Sequence, residues 1–241
     1  MLRAVVSVAI TTLLAGAAPA CRAADDHFLV VRVDTAKQPL RLFWRDDRGQ
    51  PFRRLDRLAG WLRTQQQTLV FGMNAGMYHP DAGPVGLLVI DGRELSPLNL
   101  ASGEGNFFLK PNGVFLVSAQ GPRVVDTLDY ARWRDGVSLA TQSGPLLLKD
   151  GQINPVFRPD SASRYIRNGV CAIGSEAIFV ITRRPVSFHE FASFFRDTLH
   201  CRDALYLDGA VSSLYSPALG RNDHWSELGP LIGVAEPGQQ R

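Results

Sequence analysis

The sequence predicts an α+β protein: a mixed β-sheet core with few helices packed on it, folded as a single domain. Three observations carry that expectation. Short apolar runs bounded by Gly, Pro, Asn or Asp recur from 28–33 to 204–207. Only two segments show helical spacing, one over about 52–66 and one starting at Ser187. No stretch is rich enough in Pro, Gly or Ser to mark a linker, and no longer-period repeat is visible.

The N-terminus comes first. Arg3 precedes the apolar run 4–18, and small residues follow at Ala18, Ala20, Ala23 and Ala24, the pattern of a secretory signal peptide. Residues 1–23 are therefore expected to direct export to the periplasm or beyond, leaving 24–241 as the folded domain. Ala18-Pro19-Ala20-Cys21 only distantly resembles a lipoprotein box, so lipidation is the minor alternative. Losing Arg3 and Arg22 takes the formal charge from +3 to about +1. With no dense Lys/Arg stripe, nucleic acid is not an expected partner. No transmembrane segment is expected in the mature chain. The oligomeric state is left open.

Strands are then expected at 28–33 and 40–44. Leu55, Leu58 and Leu62 line one face of the first helix. Residues 68–73 read as a strand ending in Asn74-Ala75-Gly76, and 85–90 as another before the turn Asp91-Gly92. Runs 107–110 and 114–117 flank Pro111-Asn112-Gly113, which predicts a hairpin. Residues 146–149 and 169–174 continue the β pattern, and 177–182 is expected to pair with the latter. Ser187 and Glu190 form a capping box, and Phe188, Phe191, Phe194, Phe195 and Leu199 supply the apolar stripe of the second helix. That helix leads through Cys201-Arg202-Asp203 into the run 204–207. Cys171 and Cys201 sit in apolar contexts that suit either a disulfide or two buried thiols.

The most informative segment is Leu205-Tyr206-Leu207-Asp208-Gly209-Ala210-Val211-Ser212-Ser213. A buried strand there would hold Asp208 rigidly at its end, as a catalytic carboxylate requires, although Asp-Gly is equally a common turn pair. Twice the chain runs helix, short link, strand, then a polar residue with Gly close behind, once at Asn74 and once at Asp208. Two such strands lying near one another in one sheet would bring their ends to a common pocket.

Gly76 lets a ligand approach the backbone, and Tyr78 can stack on a sugar face or sit half-buried in a turn. Gln142 and Ser143, ahead of Gly144-Pro145, are candidate ligand contacts. Gly209, Ser212 and Ser213 are the same beside Asp208. Arg167 can clamp a phosphate bidentately, against the commoner fate of a solvated arginine. Glu104, between Gly103 and Gly105, is a reserve second carboxylate on a polar loop. His79 before Pro80 reads as a surface histidine. There is no zinc-like Cys/His spacing, P-loop, Gly-x-Ser-x-Gly elbow or His-Glu-x-x-His, and no His is placed by sequence to activate Ser212 or Ser213.

Taken in order, Asn74-Ala75-Gly76-Met77-Tyr78, Gln142-Ser143-Gly144-Pro145, Arg167 and Leu207-Asp208-Gly209-Ala210-Val211-Ser212-Ser213 resemble the phosphodiester glycosidase family. The resemblance spans residues 69 to 215, within a bacterial exported branch. It implies hydrolysis of the glycosidic C–O bond of a sugar 1-phosphodiester, releasing sugar and phosphomonoester. Asp208 would act as base for water or as nucleophile, Arg167 as the cation near the departing phosphate and Glu104 as second carboxylate. Asn74, Gln142 and Ser212 would orient sugar or phosphate oxygens. Ala75, Ala210 and Val211 stand where the family keeps glycines, and each added Cβ is expected to narrow or reshape the pocket. The sequence requires no cofactor; a divalent cation could share the phosphate's charge, and the metal question stays open. The alternative is a non-catalytic periplasmic module that binds a glycan or sugar phosphate. A metal phosphodiesterase cutting the P–O bond ranks last.

Overall fold

The computed structural model describes residues 21–25 and 27–238. Of the expected leader, residues 1–20 lie outside the described residues, and 21–23 fall in the first strand.

Three antiparallel sheets build the molecule. The first has seven strands in the order β1 (Cys21–Asp25), β2 (Phe28–Asp34), β13 (Glu176–Thr182), β12 (Asn168–Ile173), β14 (Ala204–Asp208), β10 (Leu146–Lys149) and β11 (Gln152–Ile153). The second orders β16 (Arg221–Asn222), β15 (Leu214–Ser216), β4 (Gln67–Asn74), β17 (Leu231–Pro237) and β3 (Leu40–Phe43). The third orders β6 (Arg93–Ser96), β5 (Leu88–Ile90), β9 (Val137–Ser143), β7 (Gly113–Ser118) and β8 (Gly121–Asp126). Helix α1 (Leu55–Thr64) and helix α2 (Phe188–Ser193), which runs on as a π turn through Thr198, pack on this frame.

One sheet-level expectation is corrected. Every pairing between the described strands is antiparallel, so the sheet core is not mixed. Continuous apolar runs suggested buried strands, and burial on both faces is usual for parallel sheets. Here the first sheet is covered on both faces while remaining antiparallel. Along β14, Leu205 and Leu207 face the central core, whereas Ala204 and Tyr206 pack with Phe191 and Phe195 of the α2 segment.

The three sheets meet at phenylalanines. Phe179 of β13 lies 5.0 Å from Phe71 of β4 and 5.8 Å from Phe115 of β7, centroid to centroid, one ring from each sheet. Helix α1 lays Leu55, Leu58 and Leu62 against Phe43, Leu69 and Leu231 of the second sheet, and β4 is buried from Phe71 to Asn74.

A second correction concerns Pro111-Asn112-Gly113, which does not turn a hairpin. The preceding segment is a 3₁₀ turn, Asn106–Phe108, and the hairpin is β7–β8 one strand later. Buried Asn112 explains the difference: its Nδ2 donates to the Phe107 carbonyl at 3.0 Å, and its neighbour's carbonyl, that of Pro111, accepts from Leu146 N at 2.8 Å. The segment is therefore spent fastening a loop to β10. The capping box forms as expected, with Glu190 N donating to Ser187 Oγ and Ser187 N to Glu190 Oε2. Cys171 of β12 and Cys201 are joined in a disulfide beneath α2.

Candidate active site

Asp208 ends β14, 8% exposed, and its Oδ1 accepts from the backbone amides of Gly209 and Ala210. Burial raises its pKa above the ordinary aspartate value, and the amides of Ala210, Gly209 and Val211 pull against that rise. The carboxylate is therefore fixed in place and more basic than a surface aspartate.

The ends of β4 and β14 do meet, although the strands belong to different sheets. Asn168, which opens β12 and pairs with Asp208 across the ladder, is the link. Asn74 and Asn168 exchange side-chain amide hydrogen bonds, Nδ2 of Asn74 to Oδ1 of Asn168 at 3.3 Å and the reverse at 3.1 Å. Asn74 Oδ1 also accepts from Ser213 N at 2.9 Å. The Ser212 hydroxyl sits within 3.1 Å of three acceptors: the Asp208 and Ile166 carbonyls and Asn168 Oδ1. Ser213 Oγ donates to the Val211 carbonyl. Each of residues 208–213 is thus tied to a neighbouring strand or to another residue of the turn.

Arg167 stands behind this turn. Its residue is only 1% exposed; Nε donates to the Val186 carbonyl at 2.9 Å, Nη2 to the Ser163 carbonyl at 3.1 Å and Nη1 to the Tyr206 hydroxyl at 3.2 Å. Its Cζ lies 3.7 Å from the Phe188 ring centroid. Among the described residues no carboxylate pairs with it, and burial lowers its pKa, with the Tyr206 contact partly opposing this. Tyr206 in turn abuts Gly209: a Cβ there would lie 1.8 Å from the phenol oxygen and 3.5 Å from Arg167 Nη1, so no side chain fits. The guanidinium is a fixed positive charge in the wall of the site, not a fork held open at its surface.

The other expected residues divide by how far their polar atoms are already used. Gln142 Oε1 accepts from Leu87 N and Asn99 N, and Nε2 donates to the Asn99 carbonyl and toward Thr127 Oγ1, which fastens the 87–99 segment over β9. Ser143 Oγ donates to the Leu207 carbonyl at 3.0 Å, one residue short of Asp208. Gly76 N donates to Thr141 Oγ1, and a Cβ at Gly76 would strike the Gln142 carbonyl at 2.2 Å. Tyr78 is half-buried and donates its hydroxyl to the Glu227 carbonyl at 2.6 Å; burial, then the charges of Asp208 and Glu227, raise its pKa to about 12. Glu104 is exposed, with no hydrogen bond or ion pair to another described residue, so no contact brings it to Asp208.

The three departures from glycine do not crowd the site as expected. Ala75 points into the central core, Val211 packs toward the α1 cluster, and Ala210 is exposed while its amide still serves Asp208. Asn168 and Tyr206 are the members that sequence reasoning passed over. Asn168 carried one usable signal, an amide opening an otherwise apolar strand directly after Arg167.

Among the described residues no group of three or more His, Cys, Asp and Glu side chains gathers. A separate cleft of about 710 Å³ lies at the other end of β14, lined by Arg123, Trp133, Lys149, Asp150 and Asp203 among others. It contains no member of the Asp208 turn. Much of its charge is paired internally, as in Lys149 with Asp126 and Arg202 with Asp150.

The model of the phosphodiester glycosidase family matches residues 67–229, from the first residue of β4 to the loop that covers Tyr78. The chain belongs to the phosphodiester glycosidase family. All of the turns and strand ends that surround Asp208 fall within the matched span. The chain is 34% identical over 216 residues to the uncharacterized protein YigE of Escherichia coli K12, covering 88% of this chain and 84% of that one. Among solved structures it is similar to the zebrafish N-acetylglucosamine-1-phosphodiester alpha-N-acetylglucosaminidase catalytic domain, auto-inhibited by its pro-peptide, with a TM-score of 0.63 at 13% identity. That similarity covers 88% of this chain and 77% of the zebrafish one. A Synechocystis protein shares the fold more loosely, with a TM-score of 0.53 at 14% identity, over 86% of this chain and 59% of that one.

Proposed function

We propose that this phosphodiester glycosidase family member is an exported hydrolase that cleaves the glycosidic C–O bond of a sugar 1-phosphodiester. The single observation that carries the reading is Asp208: one buried carboxylate, raised in pKa, held by backbone amides where β4, β12 and β14 converge. The carboxylate accepts a proton from water as the water oxygen bonds to the anomeric carbon. The electron pair of the breaking C–O bond leaves on the phosphate oxygen, and a phosphomonoester departs as a stable anion. Such a leaving group needs less general-acid help than an ordinary glycoside, in which two carboxylates flank the bond. Arg167 adds positive potential from behind Gly209, effective because the intervening medium is protein rather than water. Asn74, Asn168, Ser212 and Ser213 hold the geometry of the turn. The buried Cys171–Cys201 disulfide suits an oxidising compartment and supports export to the periplasm or beyond.

Hydrolysis of a panel of sugar 1-phosphodiesters in oxygen-18 water, beside Asp208→Asn, tests this. Label on the sugar, lost in the variant, is the expected outcome. Label on the phosphate would assign P–O cleavage and end the reading. Binding without turnover would leave a glycan-binding module.

A further inference from the structure

The cleft at the far end of β14 takes no part in the reaction at Asp208, and its charges do not cancel pair by pair. Its lining carries four cations, Arg123, Arg132, Lys149 and Arg202, and four carboxylates, Asp126, Asp129, Asp150 and Asp203. Three pairs are close: Arg132 Nη1 to Asp129 Oδ1 at 3.2 Å, Lys149 Nζ to Asp126 Oδ2 at 2.6 Å and Arg202 Nη2 to Asp150 Oδ1 at 2.5 Å. One cation and one carboxylate are left over.

The cation is Arg123 on β8, the outermost strand of the third sheet. No described carboxylate pairs with it, and its Nε is buried with no hydrogen-bond partner among the described residues. Its Cζ lies 4.3 Å from the Trp133 ring centroid, so the indole takes one face of the guanidinium. The two Nη amino groups remain as a planar fork, the shape that grips a carboxylate through paired N–H donors. The carboxylate left over is Asp203, in the link entering β14. Its Oδ1 accepts from Asp150 N at 2.8 Å, but Arg202 Nε stands 3.9 Å from its Oδ2 and donates to Asp150 instead, at 3.2 Å. Burial raises the Asp203 pKa above the ordinary aspartate value; the Asp150 amide opposes that rise and the Asp150 charge adds to it. A cation brought beside Asp203 would relieve it.

A zwitterion supplies what both groups lack and leaves the net charge of the cleft unchanged. The cleft, about 710 Å³, has the size of pockets that enclose a molecule well beyond a single free amino acid. Residues 122–126 of β8 line it, and no described strand pairs with their outer edge, so an extended backbone finds edge-strand N–H and C=O groups there. We propose that this cleft binds a short peptide with both termini free, its C-terminal carboxylate on Arg123 and its N-terminal ammonium at Asp203.

Calorimetric titration with tri-alanine, N-acetyl-tri-alanine and tri-alanine amide tests this. Tri-alanine should bind saturably, and capping either end should weaken it about tenfold, the scale of one lost charge-assisted hydrogen bond. Arg123→Met, which keeps a stem over Trp133 without the charge, should bind the free and amidated peptides alike. Asp203→Asn, which keeps an acceptor for Asp150 N, should bind the free and acetylated peptides alike. Each variant should stay sensitive to the other cap, a pattern that a general loss of structure would not give. Asp208→Asn should bind tri-alanine as wild type does, so the result is independent of the hydrolase reading. Lack of saturable binding, or wild-type affinity indifferent to either cap, overturns the proposal, and so does a cap effect that survives its matching variant. The wild-type comparison of caps decides by itself where a variant fails to fold.

Discussion

At Asp208 the fold holds a carboxylate almost out of water, and its raised pKa makes a stability prediction as well as a catalytic one. A carboxyl group with a higher pKa folded than unfolded favours the native state fully only below its unfolded value. The contribution is lost as pH rises through the folded value. Asp208→Asn removes that dependence and keeps an acceptor for the Gly209 and Ala210 amides. The variant should therefore melt above wild type at pH 7, with the gap closing as pH falls toward the ordinary aspartate range. Turnover should drop by roughly 10²–10⁴, the usual scale for a lost acid–base group. Paired thermal melts over pH 3–8 check the first half, since carboxylates common to both proteins cancel; a gap that widened at low pH would contradict it. Asp208 could be read from the sequence because an apolar run delivered it to a glycine. Asn168 offered only the faint signal of an amide opening an apolar strand, because its hydrogen bonds to Asn74, 94 residues away, leave no local trace.

Single elements were legible where their chemistry is local. The second helix announced itself through Ser187 and Glu190, whose reciprocal bonds need only residues three apart. Strands β12 and β13 read correctly as a pair because one short turn joins two apolar runs. Pro111-Asn112-Gly113 misled for the opposite reason: its conformation is decided by Leu146 and Phe107, which local turn preference does not see. Strand β17 went unread, although it pairs with both β4 and β3. The cysteines were an open choice in the sequence, since an apolar context suits a thiol and a disulfide alike. The disulfide ties β12 to the segment entering β14, closing a loop across 30 positions. Replacing both cysteines by serine should lower stability by about 2–4 kcal/mol. Urea unfolding of the double variant measures this, and an unchanged midpoint would show that the link contributes nothing.

For the whole molecule, the junction of Phe71, Phe115 and Phe179 makes three sheets into one core. Phe179→Ala opens a cavity at that junction and should cost about 3–5 kcal/mol. Far-UV dichroism and tryptophan fluorescence should still report a single, coincident transition, earlier in denaturant. Two separated transitions would mean that the sheets unfold independently. The composition and strand runs indicated a sheet-dominated fold, but not how many sheets share the core: apolar faces are visible in a sequence, while which face meets which is decided in three dimensions. The arrangement also sets an order of events during synthesis. Strand β4, which carries Asn74, lies between β15 and β17, both of which follow it in the chain by more than a hundred residues. While the chain is still emerging from the ribosome, β4 has neither neighbour, and Asn74 cannot be seated against Asn168 in its final frame. The frame around Asn74 is thus incomplete until residues 231–237 have been made, and on the hydrolase reading proposed above the nascent chain would be inert until then.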